Sequence, residues 1–190
     1  MAMLIAGLLL FFGSHSLRIL APTRRERLLA QLGEGTWKTL YSLVAIAGLL
    51  MMIHGFTAAR AAFAPLYVSP RWLRVLAVVL MAPVFPLLIA TYLPGRLRSA
   101  LRHPMLAATK LWAFAHLLAN GGVADLLLFG AFLAWAIADR VSVGRRPAVP
   151  PAALPAGRLS DAIALLAGLG LYGVFLAGLH LRLFGVAPIG

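Results

Sequence analysis

Arg102-His103-Pro104-Met105-Leu106-Ala107-Ala108-Thr109-Lys110-Leu111-Trp112-Ala113-Phe114-Ala115-His116-Leu117-Leu118-Ala119-Asn120-Gly121-Gly122 is apolar enough to enter a bilayer, yet it carries a lysine and two histidines in or beside its apolar part. An ionisable side chain in hydrocarbon costs about 2.5–3.5 kcal/mol on insertion scales, so such residues are kept mainly where they bind, relay or catalyse. His15, His54 and His180 stand in similarly apolar surroundings. The fold class and the candidate chemistry therefore come from the same stretches.

Composition agrees with a membrane class. Hydrophobic residues make up 62% of the chain and charged residues 12%, against roughly 45–50% and about 25% in a soluble domain. Outward from the quoted stretch, apolar runs recur at Ala2–Ile19, Leu40–Phe56, Leu73–Leu93, Met105–Leu118, Val123–Ile137 and Ala162–Phe184. A bilayer core needs about 20 helical residues, which predicts an all-α polytopic membrane protein of about six spans in one bundle. The fourth and fifth runs are short and meet at Asn120-Gly121-Gly122, a tight-turn sequence, so they are expected to form a helical hairpin. Residues 144–158 are rich in proline and arginine and read as a flexible linker. With no internal repeat, residues 1–190 are expected to form a single domain.

The formal net charge is +12, and its distribution points to topology rather than to nucleic acid. Arginine and lysine gather in the first, third and fifth loops; the fourth has none, and the second, with Arg60 and Arg71, is the noisy case. The positive-inside rule makes the odd loops cytoplasmic and places both termini outside. The basic residues are expected to meet anionic lipid, since no aromatic-basic platform for nucleic acid accompanies them. The N-terminus lacks a basic region and an Ala-x-Ala site, so it reads as a span and not as a cleavable signal.

The chain has no cysteine, which leaves imidazole as the strong side-chain ligand for a borderline metal. Acidic residues are few (Glu26, Glu34, Asp125, Asp139, Asp161) and show no spacing for a carboxylate pair, which disfavours hydrolysis by general acid and base. No phosphate-cradling glycine loop or serine nucleophile elbow is present.

Phe12-Gly13-Ser14-His15-Ser16, Leu32-Gly33-Glu34-Gly35-Thr36-Trp37-Lys38, Arg102-His103-Pro104 and Ala115-His116-Leu117-Leu118-Ala119-Asn120-Gly121 together resemble the NnrU family over essentially the whole chain. That family is named for bacterial gene clusters of nitrite and nitric oxide reduction and is related to the plastid 15-cis-zeta-carotene isomerase, a membrane enzyme with haem b. The resemblance implies haem b held by two histidines, which fall at His15 and His116, and a place in the bacterial inner membrane. It implies partners that are small: a hydrophobic substrate or a nitrogen oxide, besides the lipid itself. Whether the protein is an enzyme, and whether it forms a homo-oligomer, the resemblance leaves open.

The histidines can also be weighed by helix geometry. His103 and His116 are thirteen residues apart, giving nearly opposite faces and about 20 Å of rise, so one helix cannot bring both to one metal. His116 shares a face with Trp112 and Asn120. His15 is flanked by two serines able to fix its ring. His54 competes with His15 as second ligand, because in an antiparallel bundle it lies near the depth of His116. His180 reads as an interfacial histidine. Lys110 either snorkels to the surface or pairs with a haem propionate or Asp139.

His103 before Pro104 reads as the start of a helix, proline being favoured at its first position. Arg-His-Pro also occurs in membrane methyltransferases of the isoprenylcysteine type, but those continue with x-Tyr where this chain has Met105-Leu106, and they need acids near the C-terminus, where Asp161 stands alone after Asp139. Pro83 and Pro86 should bend the third span. Gly130, Ala134 and Ala138, and Gly173 and Ala177, have the spacing that lets membrane helices approach closely. A membrane transporter or structural protein without cofactor is the alternative to the haem protein, with a methyltransferase less favoured.

The topology has a direct test. Reporters fused after Gly144 should report cytoplasm and those fused after Gly121 the opposite side; agreement of both on one compartment would overturn the six-span arrangement.

Overall fold

The computed structural model describes residues 1–145 and 158–188. Its elements are helices α1 (Ala2–Leu20), α2 (Pro22–Ala62), α3 (Arg71–Met81), α4 (Val84–Ala90), α5 (Arg96–Leu101), α6 (Pro104–Ala119), α7 (Val123–Gly144), α8 (Arg158–Val174) and α9 (His180–Phe184), the last two joined by a π turn at Phe175–Leu179. The expected linker falls mostly on residues 146–157, outside the described residues.

Five helical segments are long and apolar enough to cross a membrane: residues 2–20, 22–62, 71–90, 123–144 and 159–184. The sixth expected span, α6, has 16 residues, about 24 Å of helix against a hydrocarbon core of about 30 Å. It is packed by α3, α4 and α7. The third span breaks between α3 and α4 at Ala82-Pro83, as its prolines demand. One expectation fails: the basic first loop is helical. Pro22 stands at the first helical position of α2, and nothing breaks the helix until Gly33, whose φ of 76° and ψ of 162° separate an exposed basic helical segment from the apolar span.

α1 and α2 form an antiparallel pair whose backbones nearly touch. A Cβ on Gly7 would lie 2.6 Å from the Met52 nitrogen, one on Gly48 2.8 Å from the Phe11 nitrogen, and one on Gly55 2.3 Å from the Leu4 nitrogen. Three glycines thus take the place where side chains would hold the helices apart, and Leu4, Leu8 and Met52 are buried at the seam. Without a hydrophobic drive between helices in lipid, such close van der Waals packing is what holds them. Of the small residues singled out in the fifth and sixth spans, Gly130 and Gly173 make no such contact within the chain: a Cβ on either would meet nothing within 4 Å.

The remaining helices are joined by polar ties. The end of α6 is capped by the segment after α2: the Tyr67 hydroxyl donates to the Leu117 carbonyl at 2.7 Å and lies 2.9 Å from that of Asn120, Ser69 Oγ donates to Leu118 at 2.6 Å, and the Leu66 N–H donates to Gly121 at 2.8 Å. These bonds satisfy the orphan carbonyls of a helix end. Gly121 is required there, since its Cβ would lie 2.1 Å from the Tyr67 carbonyl oxygen. α8 crosses α4 with Gly168 against Pro86, where a Cβ would come within 2.3 Å of the Pro86 nitrogen, and the Tyr172 hydroxyl donates to the Val78 carbonyl.

Substituting leucine for Gly55 should lower thermal stability in detergent by at least the 1–3 kcal/mol typical of overpacking, because the obstructing atoms are backbone. The same change at Gly130 should leave the stability within about 0.5 kcal/mol of the parent. Equal effects at the two sites would refute the glycine seam.

Candidate functional site

A column of aromatic side chains on one face of α7 organises the interior. Trp135, Phe132 and Phe129 follow one another at helical spacing. Phe132 meets Phe11 (5.7 Å between ring centroids), Phe12 (4.9 Å) and Trp112 (5.1 Å); Phe129 meets Phe56 (6.0 Å), Trp112 (5.1 Å) and His116 (4.5 Å); Trp135 meets Phe12 and His15, both at 5.8 Å. His15 and His116 therefore border one aromatic core at different levels of α7. Six residues separate Phe129 from Trp135, about 9 Å of helical rise.

His15 is half-buried. Its Nδ1 lies 2.7 Å from the Phe11 carbonyl oxygen, which also accepts from Ser14 Oγ at 2.8 Å. Its ring stacks on Phe11 at 4.1 Å and lies 5.2 Å from Tyr41. Nearby, the Trp135 Nε1–H is buried with no hydrogen-bond acceptor among the described residues. A carbonyl can only accept, so Nδ1 of His15 carries the proton and Nε2 keeps its lone pair.

His116 repeats this arrangement on α6. Its Nδ1 lies 2.9 Å from the Trp112 carbonyl oxygen, and the Asn120 side-chain amide donates to the His116 carbonyl at 2.9 Å. The face shared by Trp112, His116 and Asn120 is thus the one read from the spacing. The His116 ring is enclosed by Trp112 at 5.3 Å, Phe129 at 4.5 Å and His180 at 6.5 Å.

The other candidates lie apart. His54 is exposed on α2. His103 stands at the N-cap of α6 with Pro104 at the first position, as expected of a helix start. Lys110 is half-buried on α6 and forms no ion pair among the described residues. Asp161, the one acid available for a methyltransferase reading, is engaged otherwise: its carboxylate accepts the Arg96 and Leu97 N–H groups at 2.9 and 3.1 Å and so caps α5.

Two features were not foreseen. His180, read as interfacial, faces His116. Arg60 and Asp125 form a pair at 3.6 Å, with Asp125 only 3% exposed. The Asp125 carboxylate also accepts the Gly122 N–H at 3.0 Å, closing the turn into α7, and the Arg60 guanidinium lies 5.5 Å from the Phe56 ring centroid. The pair accounts for one of the two charges of the noisy second loop: Arg60, itself 37% exposed, is held by a buried carboxylate. The signal available in the sequence was the buried acid itself, since Asp125 in an apolar helix needs a cation.

Removing the Arg60 charge by Arg60→Gln should destabilise the protein by about 1–3 kcal/mol, because a buried carboxylate loses its partner. Adding Asp125→Asn should recover most of that loss. Thermal unfolding of the two variants measures both effects, and a double variant weaker than Arg60→Gln alone would rule out the coupling.

No curated protein and no solved structure matches the chain. A family model described as NnrU protein matches residues 3–188, nearly its whole length. With the all-helical bundle and its histidine-bearing spans, that match settles the affiliation: the chain belongs to the NnrU family.

Proposed function

We propose that this chain binds b-type haem inside the bacterial inner membrane and serves nitrite and nitric oxide metabolism. His116 is one iron ligand, and His15 is the second that the family resemblance implies, with His54 as the alternative. The observation that carries this reading is the anchoring of His116: Nδ1 is held by the Trp112 carbonyl at 2.9 Å, leaving Nε2 as a preoriented donor. Metal-ligating histidines are typically fixed through the other ring nitrogen in this way. His15 is anchored likewise on Phe11.

The surroundings suit a flat, apolar cofactor with charged edges. Trp112, Phe129, Phe132 and Trp135 offer ring faces, the buried Trp135 N–H is an available donor, and Lys110, without an ion pair among the described residues, is a cation able to meet a propionate. When bound, haem would supply an iron that exchanges electrons or takes a small nitrogen oxide in place of a displaceable histidine. The protein's own contribution is to orient the imidazoles, exclude water with the aromatic column and neutralise the cofactor's acidic edge.

Protein purified with ample haem supply should show a Soret band that His116→Ala abolishes or strongly alters and His103→Ala leaves nearly intact. Deleting the gene should impair growth on nitrite or handling of nitric oxide while leaving pigments unchanged. A haem-free purified protein would defeat the cofactor assignment. Altered polyene isomers with normal denitrification would move the function to the isomerase class.

A further inference from the structure

Arg24, Arg25, Glu26 and Arg27 follow one another in the first part of α2, so the helical segment 22–32 is too charged to enter hydrocarbon. Yet it is not a water-loving helix either. Leu28 and Leu32 are exposed on it, and Leu20, where α1 ends, is 81% exposed. A helix that is too charged for the bilayer core and too apolar for water belongs at the boundary between them.

The charges and the leucines are sorted by face. At about 100° per residue, Leu28 and Leu32 make one stripe, Arg24 borders it on one side and Arg25 on the other, and Thr23, Glu26 and Ala30 fall opposite. Glu26 is thus turned away from the arginines that flank the stripe, and the next acid, Glu34, is already paired with Lys38 at 2.6 Å. Arg25 and Leu29 are half-buried, whereas Arg24 and Arg27 are exposed. The body of the protein therefore lies beside the leucine stripe, with Arg25 near enough to Tyr41 to act on it electrostatically.

The backbone determines where that face points. α1 and the span of α2 are antiparallel, so the chain reverses between Leu20 and Glu34. Two joints interrupt the helix there: Ala21 (φ −142°, ψ 59°), which the following Pro22 keeps out of the helical region, and Gly33 (φ 76°). A reversal shared between two joints turns the helix between them across the axes of the spans. The register that sets Leu4 against Gly55 and Phe11 against Gly48, continued, brings Leu20 about level with Thr39, between Trp37 and Tyr41. Aromatic residues of that kind mark the headgroup layer.

We propose that residues 22–32 form an interfacial helix that recognises anionic phospholipid, with Leu28 and Leu32 in the acyl boundary and Arg24, Arg25 and Arg27 on the headgroup phosphates. Charge complementarity selects this occupant: three arginines against one acid attract an anionic surface, and the leucines between them need its acyl chains. A soluble anion would meet the charges and leave the leucines in water. The surface is independent of any cofactor in the bundle.

Because the chain has no cysteine, a single introduced thiol carries a spin label at a known position. Full-length protein labelled at Thr23→Cys, Leu28→Cys, Ala30→Cys or Leu32→Cys is placed in nanodiscs of phosphatidylcholine alone or with phosphatidylglycerol, and electron paramagnetic resonance reads label depth from collisions with oxygen and with a nickel chelate. With phosphatidylglycerol, the labels at positions 28 and 32 are expected about 5–10 Å below the phosphates and those at 23 and 30 in water. Omitting phosphatidylglycerol, or adding Arg24→Gln with Arg27→Gln, should move the labels at 28 and 32 toward water, whereas Arg96→Gln with Arg98→Gln should leave them in place. Thermal unfolding in detergent, expected to be unchanged by Arg24→Gln with Arg27→Gln, separates a loss of depth from a loss of fold. Water exposure of all four positions in the anionic discs, or a depth pattern indifferent to either phosphatidylglycerol or the two arginines, would overturn the proposal.

Discussion

The hydrogen bond from His116 Nδ1 to the Trp112 carbonyl is the interaction on which the interior depends. A histidine among aromatic rings needs its N–H satisfied, and in hydrocarbon the available acceptor is a helix carbonyl one turn back. Once that bond is made the ring has a fixed direction, a fixed tautomer and one unused nitrogen. Phe129 and Trp112 then pack against a rigid surface, and the α7 column extends the same apolar wall to His15, which solves its own polarity by the same bond to Phe11. The molecule places these two half-buried histidines by repeating one local solution on two helices.

Much of the fold was legible because membrane burial writes itself along the chain. Apolar runs located the spans, Asn120-Gly121-Gly122 located the hairpin turn, His103-Pro104 located a helix start and Pro83 a break. These are local signals, and each depends on a few neighbouring residues. The Trp112, His116 and Asn120 face was equally local. By contrast, the basic stretch after Pro22 was read as loop on its charge, although charge at a membrane surface does not oppose helix.

What the sequence concealed was which helices touch. The Gly7, Gly48 and Gly55 seam uses glycines from two helices whose spacing within either one is unremarkable, and it appears only when the antiparallel register pairs Leu4 with Gly55 and Phe11 with Gly48. Arg60 and Asp125 lie 65 residues apart in sequence and declare themselves only as a pair. The nearness of His180 to His116 was hidden as well, because a π turn at Phe175–Leu179 precedes His180 and no spacing in the sequence announces it.

The cap on α6 has a consequence for the order in which the protein is made. Leu66, Tyr67 and Ser69, which satisfy the carbonyls of Leu117, Leu118, Asn120 and Gly121, leave the ribosome some 50 residues before their acceptors. A helix too short to span hydrocarbon alone thus emerges into a bilayer where the groups that complete its exposed end have already been synthesised. Vectorial synthesis supplies the partner first and the need second, so the short helix can be received from the translocon by its own chain instead of waiting for a later segment to cover it.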